Sequence, residues 1–146
     1  PGHQCEWYCL LSEAEAAGFG PFPQKDGLLD FALRFGLDDA TGLLVDRCAP
    51  DGRQIDPRFR LWPQCELVKA LAMAGCAAVP AGLLDDVLAQ MLRLFLRSDM
   101  AGGWVDHIDG DLRPVVDTVP ATSLYHLFEA WHALIRSGVI VTEDLS

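Results

Sequence analysis

Five stretches of this chain repeat apolar residues at helical spacing, and glycine or proline punctuates each of them. That pattern constrains the fold class more than any other feature. The first stretch runs from about His3 to Ala17 and stops at Gly18. At about 100° per residue, Trp7, Leu10, Leu11 and Ala14 share one side, and Cys5, Cys9 and Ala16 form a small apolar strip on the other. A helix apolar on two sides is expected between neighbours. The second stretch, about Gly27 to Phe35, is closed by Gly36, and the third opens at Pro63 and ends near Gly75. The fourth, Pro80 to Arg97, puts Leu84, Val87, Leu88, Met91 and Phe95 on one stripe opposite a polar face, as in an outer, half-solvated helix. The fifth, Ala121 to Arg136, stops before Gly138 and carries Leu124, Leu127, Phe128, Trp131, Leu134 and Ile135 as its bulky stripe.

Two connections read as short β-hairpins. One is Leu43 to Arg47, Asp51-Gly52, then Arg53 to Phe59; the other is Trp104 to Ile108, Asp109-Gly110-Asp111, then Leu112 to Val116. An Asp-Gly step between short alternating runs is the cue. A helix pair plus hairpin thus occurs nearly twice before the last helix. The expected class is all-α with small β additions, a repeat of helical hairpins decorated at their loops.

The chain has 146 residues, enough for one domain, with 51% hydrophobic and 22% charged residues, a globular balance. Its 11 Lys and Arg against 21 Asp and Glu give a formal net charge of −10, which argues against nucleic-acid or anionic-membrane partners. No apolar run reaches the roughly 18 residues of a membrane span. The chain opens Pro-Gly-His with no Met and no secretory pattern. We therefore expect a cytoplasmic protein and a piece of a longer one, cut on its N-terminal side. The five cysteines (Cys5, Cys9, Cys48, Cys65 and Cys76) form no C-x-x-C, so buried free thiols are expected and no metal site.

Histidines carry the candidate chemistry. His126 projects opposite the bulky stripe of its helix, among Thr122, Ala130 and Ala133. A face of small residues suits either the wall of a cavity or tight helix packing with a hydrogen-bonded histidine. His3 precedes Glu6 by one helical step, and a carboxylate beside an imidazole orients it for acid–base work. Periodicity, however, favours a core position for His3, near Trp7 and Leu10. Around the third helix start, Arg60, Trp62, Gln64 and Glu66 offer donors, an aromatic face and an acceptor, which is what a sugar needs. The plainer reading is a hairpin-to-helix junction with Lys69 one turn beyond Glu66. His107, beside Asp106 and Asp109, reads as a solvated residue.

Four blocks together resemble the N-acylglucosamine 2-epimerase family of sugar epimerases and isomerases. They are Pro-Gly-His-Gln-Cys-Glu-Trp at 1–7, Arg-Leu-Trp-Pro-Gln-Cys-Glu at 60–66, Gly-Gly-Trp-Val-Asp-His-Ile-Asp at 102–109, and Val-Pro-Ala-Thr-Ser-Leu-Tyr-His-Leu-Phe at 119–128. The resemblance implies an (α/α)6 barrel, of which this single domain, residues 1–146, would be the C-terminal part, with the N-terminal helices missing. It implies His3 and His126 as catalytic residues and Glu6, Arg60, Trp62 and Glu66 as substrate-binding ones, to which the helix face of His126 adds Thr122. The implied reaction is 2-epimerisation or aldose–ketose isomerisation of a monosaccharide or amino sugar through an enediolate, with no cofactor. The blocks look more like the mannose-type isomerase branch than the disaccharide 2-epimerase branch. The isolated piece is expected to be inactive, and a homodimer is left open. The competing expectation is a non-catalytic toroid piece that binds carbohydrate or another protein.

Overall fold

The computed structural model describes residues 1–75, 78–97, 99 and 102–141. In chain order its elements are α1 (Gly2–Ala16), α2 (Lys25–Phe31), β1 (Arg47–Cys48), β2 (Gln54–Asp56), β3 (Phe59–Arg60), α3 (Leu61–Ala74), α4 (Leu83–Leu94), β4 (His107–Ile108) and α5 (Ala121–Arg136). Among the described residues the helices number five, as the periodicity predicts. Helix α2 runs on into a wider π-type turn, Ala32–Gly36, and α4 starts at Leu83 because Gly82 takes a left-handed φ of 80° at its N-terminus. Among the described residues no helix is long and apolar enough to cross a membrane.

Helix α3 is the axis of the assembly and packs on both α1 and α5. Every residue from Pro63 to Ala72 is buried, including Gln64, Glu66 and Lys69. Helices α2 and α4 lie outside, on α1 and α3 respectively. Helix α4 fits the half-solvated expectation, with Val87 and Met91 buried and Asp85 and Asp86 in its first turn.

The faces of α1 and α5 correct the expectation. The small strip of α1, Cys5 and Cys9, is fully buried, while Trp7 and Leu10 are 55% and 46% exposed. On α5, Ser123, Ala130, Ala133 and Leu134 are buried, and Leu124, Phe128 and Trp131 are 57%, 64% and 43% exposed. The reason is steric. Small side chains let helix axes approach α3 closely, and once they are chosen for contact the bulky stripe must turn away.

The hairpins are also partly redrawn. Strands β1 and β2 pair antiparallel, Arg47 with Asp56 and Cys48 with Gln54 across a bulge. Strand β4, however, pairs with β3, Phe59 with Ile108 and Arg60 with His107. The second Asp-Gly turn does fold back, with Asp109 N donating to Arg113 O at 3.0 Å and Val115 N to His107 O at 3.1 Å. Pro114, which has no N–H to give, leaves a single bridge to Ile108 there. Cys76 and the residues after Val141 lie outside the described residues.

The apolar run Leu43–Val45 is sealed at 0% exposure without a strand partner for all its amides. Gln64 supplies one. Its Oε1 accepts from Leu44 N at 2.8 Å, and its Nε2 donates to Leu44 O at 2.8 Å and to Arg60 O at 3.0 Å. The side chain offered above as a sugar contact is therefore a buried surrogate strand. Gln64→Leu keeps the volume but orphans both Leu44 groups, so we expect a loss of about 2–4 kcal/mol in urea unfolding.

Asp56 ties down the first hairpin. Its carboxylate accepts Arg58 Nε at 2.9 Å and Nη2 at 2.6 Å, with Arg47 3.6 Å away. Those Arg58 hydrogen bonds hold its pKa down, from the ordinary 3.8 to about 2, against the opposing effect of burial. A depressed carboxylate stabilises the fold above its unfolded pKa and loses that contribution as pH falls through the folded one. The stability advantage of the native chain over Asp56→Asn is expected to be full at neutral pH. It should shrink from about pH 4 to about pH 2, read as converging urea midpoints.

Candidate functional site

A cavity of about 240 Å³ opens at one end of the three central helices, lined by His3, Glu6, Arg60, Trp62, Asp106, Pro120, Thr122, Ser123 and His126. It is smaller than the roughly 300–1,000 Å³ of sites for drug-sized ligands and suits a small molecule. His3 lies in the first turn of α1, Trp62 in that of α3 and Thr122 in that of α5. Three helix N-termini, each with unpaired N–H groups and a positive dipole end, therefore converge on one hollow.

Trp62 stands between the two histidines. Its ring centroid is 4.8 Å from that of His3 and 5.5 Å from that of His126. Gly2 makes the first contact achievable, because a Cβ there would lie 2.8 Å from the Trp62 ring and 2.9 Å from Pro63. His3 is exposed, so its expected place in the core is wrong. The buried strip of α1 is the Cys5–Cys9 side, and His3 falls at the open end, facing the cavity instead.

Glu66 does not line the cavity. Its side chain is 1% exposed and sits behind His126, with Oε1 2.7 Å from the imidazole Nδ1. Its other oxygen, Oε2, lies 2.9 Å from Lys69 Nζ, an ion pair in which Lys69 is itself only 8% exposed. Burial works against the Lys69 charge, but the adjacent Glu66 carboxylate outweighs it and the ammonium is held above the ordinary lysine range. A carboxylate on Nδ1 places the imidazole proton there and leaves Nε2 free to accept.

Arg60 enters from β3. Its Nε is buried without a hydrogen-bond partner, and the nearest carboxylate, Asp46 Oδ1, is 3.9 Å away. Sequence reasoning missed Asp106 and Ser123 as lining residues. Asp106 is 2% exposed and accepts from Ser123 Oγ at 2.5 Å, with His107 Nδ1 3.4 Å from its second oxygen. The alternation of Val105, Asp106, His107 and Ile108 was the available signal, since a lone Asp between buried apolar residues needs a partner. His107 is half-buried rather than solvated, and burial, with Arg60 nearby, lowers its pKa. Among the described residues no three His, Cys, Asp or Glu side chains gather where they could hold a metal ion.

The model of the N-acylglucosamine 2-epimerase (GlcNAc 2-epimerase) family matches residues 1–130, a span that contains all four blocks quoted above. The chain belongs to this family. A protein named mannose-6-phosphate isomerase from Rhizobium meliloti (strain 1021) is 29% identical over 147 residues, 92% of this chain and 36% of that protein. The crystal structure of a D-mannose isomerase superposes with a TM-score of 0.82 at 24% identity, over 94% of this chain and 37% of the other. Cellobiose 2-epimerase from Spirochaeta thermophila DSM 6192 gives 0.74 at 18% identity, over 95% and 38%. The fold of this epimerase-family chain is thus that of sugar isomerases and epimerases, and it spans little more than a third of their length.

Among the described residues no thiol lines the cavity. Cys5, Cys9 and Cys65 are buried at 0%, 1% and 0% exposure, and burial pushes their pKa values up, that of Cys5 to about 12. Alkylation of the native chain at pH 8 should therefore spare these three, and all three should react once urea unfolds it. Mass mapping of the labelled peptides is the check.

Proposed function

We propose that these residues form the C-terminal part of an (α/α)6 barrel whose cleft epimerises or isomerises a neutral monosaccharide by histidine acid–base catalysis. The observation that carries this reading is the placement of His3 and His126 on either side of Trp62 in one cavity. Family membership and the likeness to sugar isomerases support the reaction class.

The chemistry uses the open-chain sugar. An imidazole takes the proton on the carbon beside the carbonyl, and the carbonyl electrons move onto oxygen to give an enediolate. Return of a proton to the same carbon from the other face gives the epimer. Return to the neighbouring carbon, with loss of the hydroxyl proton, gives the ketose. His126, backed by Glu66, presents Nε2 as acceptor, and His3 supplies the second proton-transfer group. Trp62 offers a flat apolar face to the sugar C–H bonds. The Arg60 guanidinium and the three helix N-termini favour the developing negative charge.

The carboxylates of Glu6 and Asp106 in the same lining disfavour a phosphorylated substrate. Among the described lining residues Arg60 is the one Arg or Lys, against Glu6 and Asp106. Arg58, two residues before Arg60, is committed to Asp56 at 2.6 Å.

The test is exchange at C2 of D-mannose in heavy water, using protein expressed from the complete reading frame. Deuterium plus ketose is expected, and the 146-residue chain alone is expected to be inactive. His3→Ala and His126→Ala should each lower the exchange rate about 10²–10⁴-fold with sugar affinity largely kept. Mannose should be favoured over mannose 6-phosphate in kcat/KM. Sugar binding with no exchange in the unsubstituted protein would instead identify a carbohydrate-binding module.

A further inference from the structure

We propose that Lys69, one turn behind the cavity, is a positioning residue that holds Glu66 as a carboxylate and so sets which nitrogen of His126 carries the proton. The inference rests on the acid–base reading of His126 and adds to it a residue that touches neither the cavity nor the substrate.

The argument starts from burial. Glu66 is 0% exposed as a residue and Lys69 6%. A lone carboxylate in such a place would give up its charge, since removing an ion from water costs several kcal/mol. A neutral Glu66 is itself a donor. Its O–H would donate a hydrogen bond to a bare Nδ1 of His126, and the neutral imidazole would then carry its hydrogen on Nε2, facing the cavity. A histidine in that tautomer cannot take a proton from carbon. With Lys69 Nζ 2.9 Å from Oε2 as an ion pair, Glu66 stays a carboxylate, and its Oε1, 2.7 Å from Nδ1, accepts from Nδ1–H and fixes the opposite tautomer.

The surroundings leave this role to Lys69. From α1 the groups bearing on the pair are the Cys5 and Cys9 thiols, both raised by burial and so uncharged, with Glu13 more remote. From α5 it is Tyr125, besides His126 itself. From α3 Cys65 is uncharged, and from the β4 segment Asp106 adds negative charge only. Glu6 and His3 lie beyond, at the cavity. Arg60 reaches towards Asp46 rather than Glu66. Among these groups Lys69 is the cation in contact with Glu66.

The tautomer is read directly by nitrogen NMR of the chain labelled with 15N-histidine, with His126→Gln assigning the signal. The chain as it stands should show His126 protonated on Nδ1 and bare on Nε2 at pH 8. Lys69→Met should move it towards the Nε2–H form, and Lys69→Arg should restore the original pattern. In protein from the complete reading frame, Lys69→Met should lower kcat for C2 exchange about 10–100-fold with KM within about threefold. An unchanged tautomer in Lys69→Met overturns the proposal. So does an Nε2–H tautomer in the unsubstituted chain, a result that needs no variant to fold. The spectrum is taken without sugar, so absence of turnover would sink the enzymatic reading while leaving the Lys69 inference to stand or fall on the tautomer alone.

Discussion

The close approach of α1 and α5 to the two sides of α3 governs the rest of the molecule. Cysteine, alanine and serine at the contacts bring the helices near enough for their first turns to share one hollow. Larger residues there would spread the axes by ångströms, and His3, Trp62 and His126 would no longer lie within ring-contact distance. Trp7 and Leu10 on α1, and Leu124, Phe128 and Trp131 on α5, face away from α3, while Leu134 packs inward. The geometry of the cavity depends on those contacts, and Trp7, Phe128 and Trp131 lie on faces turned away from α3.

Inside that frame the polar residues of α3 divide the labour by depth. Trp62 meets the cavity, Gln64 turns into the core to complete the backbone pairing of Leu44, and Glu66 reaches across to α5. About one turn of a single helix thereby stitches it to the loop before it, to the site and to the neighbouring helix. Each of these buried polar groups is worth its desolvation because it finds a partner at 2.7–3.0 Å. The result is a rigid backing for an imidazole on a half-exposed edge, which is what a proton-transfer group requires.

Helix number, helix ends to within a few residues, and the outer character of α4 were legible in the sequence. They depend on local periodicity and on glycine and proline, which act within a few residues of themselves. The family was legible too, through its four blocks. Of the seven residues singled out for the site, six line the cavity together, and the seventh, Glu66, supports it from behind. Their roles in a reaction remain the proposal made above.

What the chain alone could not decide was which apolar side of α1 and of α5 faces inward, whether β4 would pair with its own hairpin or with β3, and what Gln64, Lys69, Asp106 and Ser123 touch. Periodicity counts apolar residues and assigns them to the core, but a helix flanked closely by others is selected for small contacts, a property of the pair and not of either sequence. Partners such as Glu66 with His126, sixty residues apart, or Ser123 with Asp106, seventeen apart, come together through tertiary packing. Local spacing carries no trace of that packing, because burial and charge pairing are set by the neighbours the fold supplies.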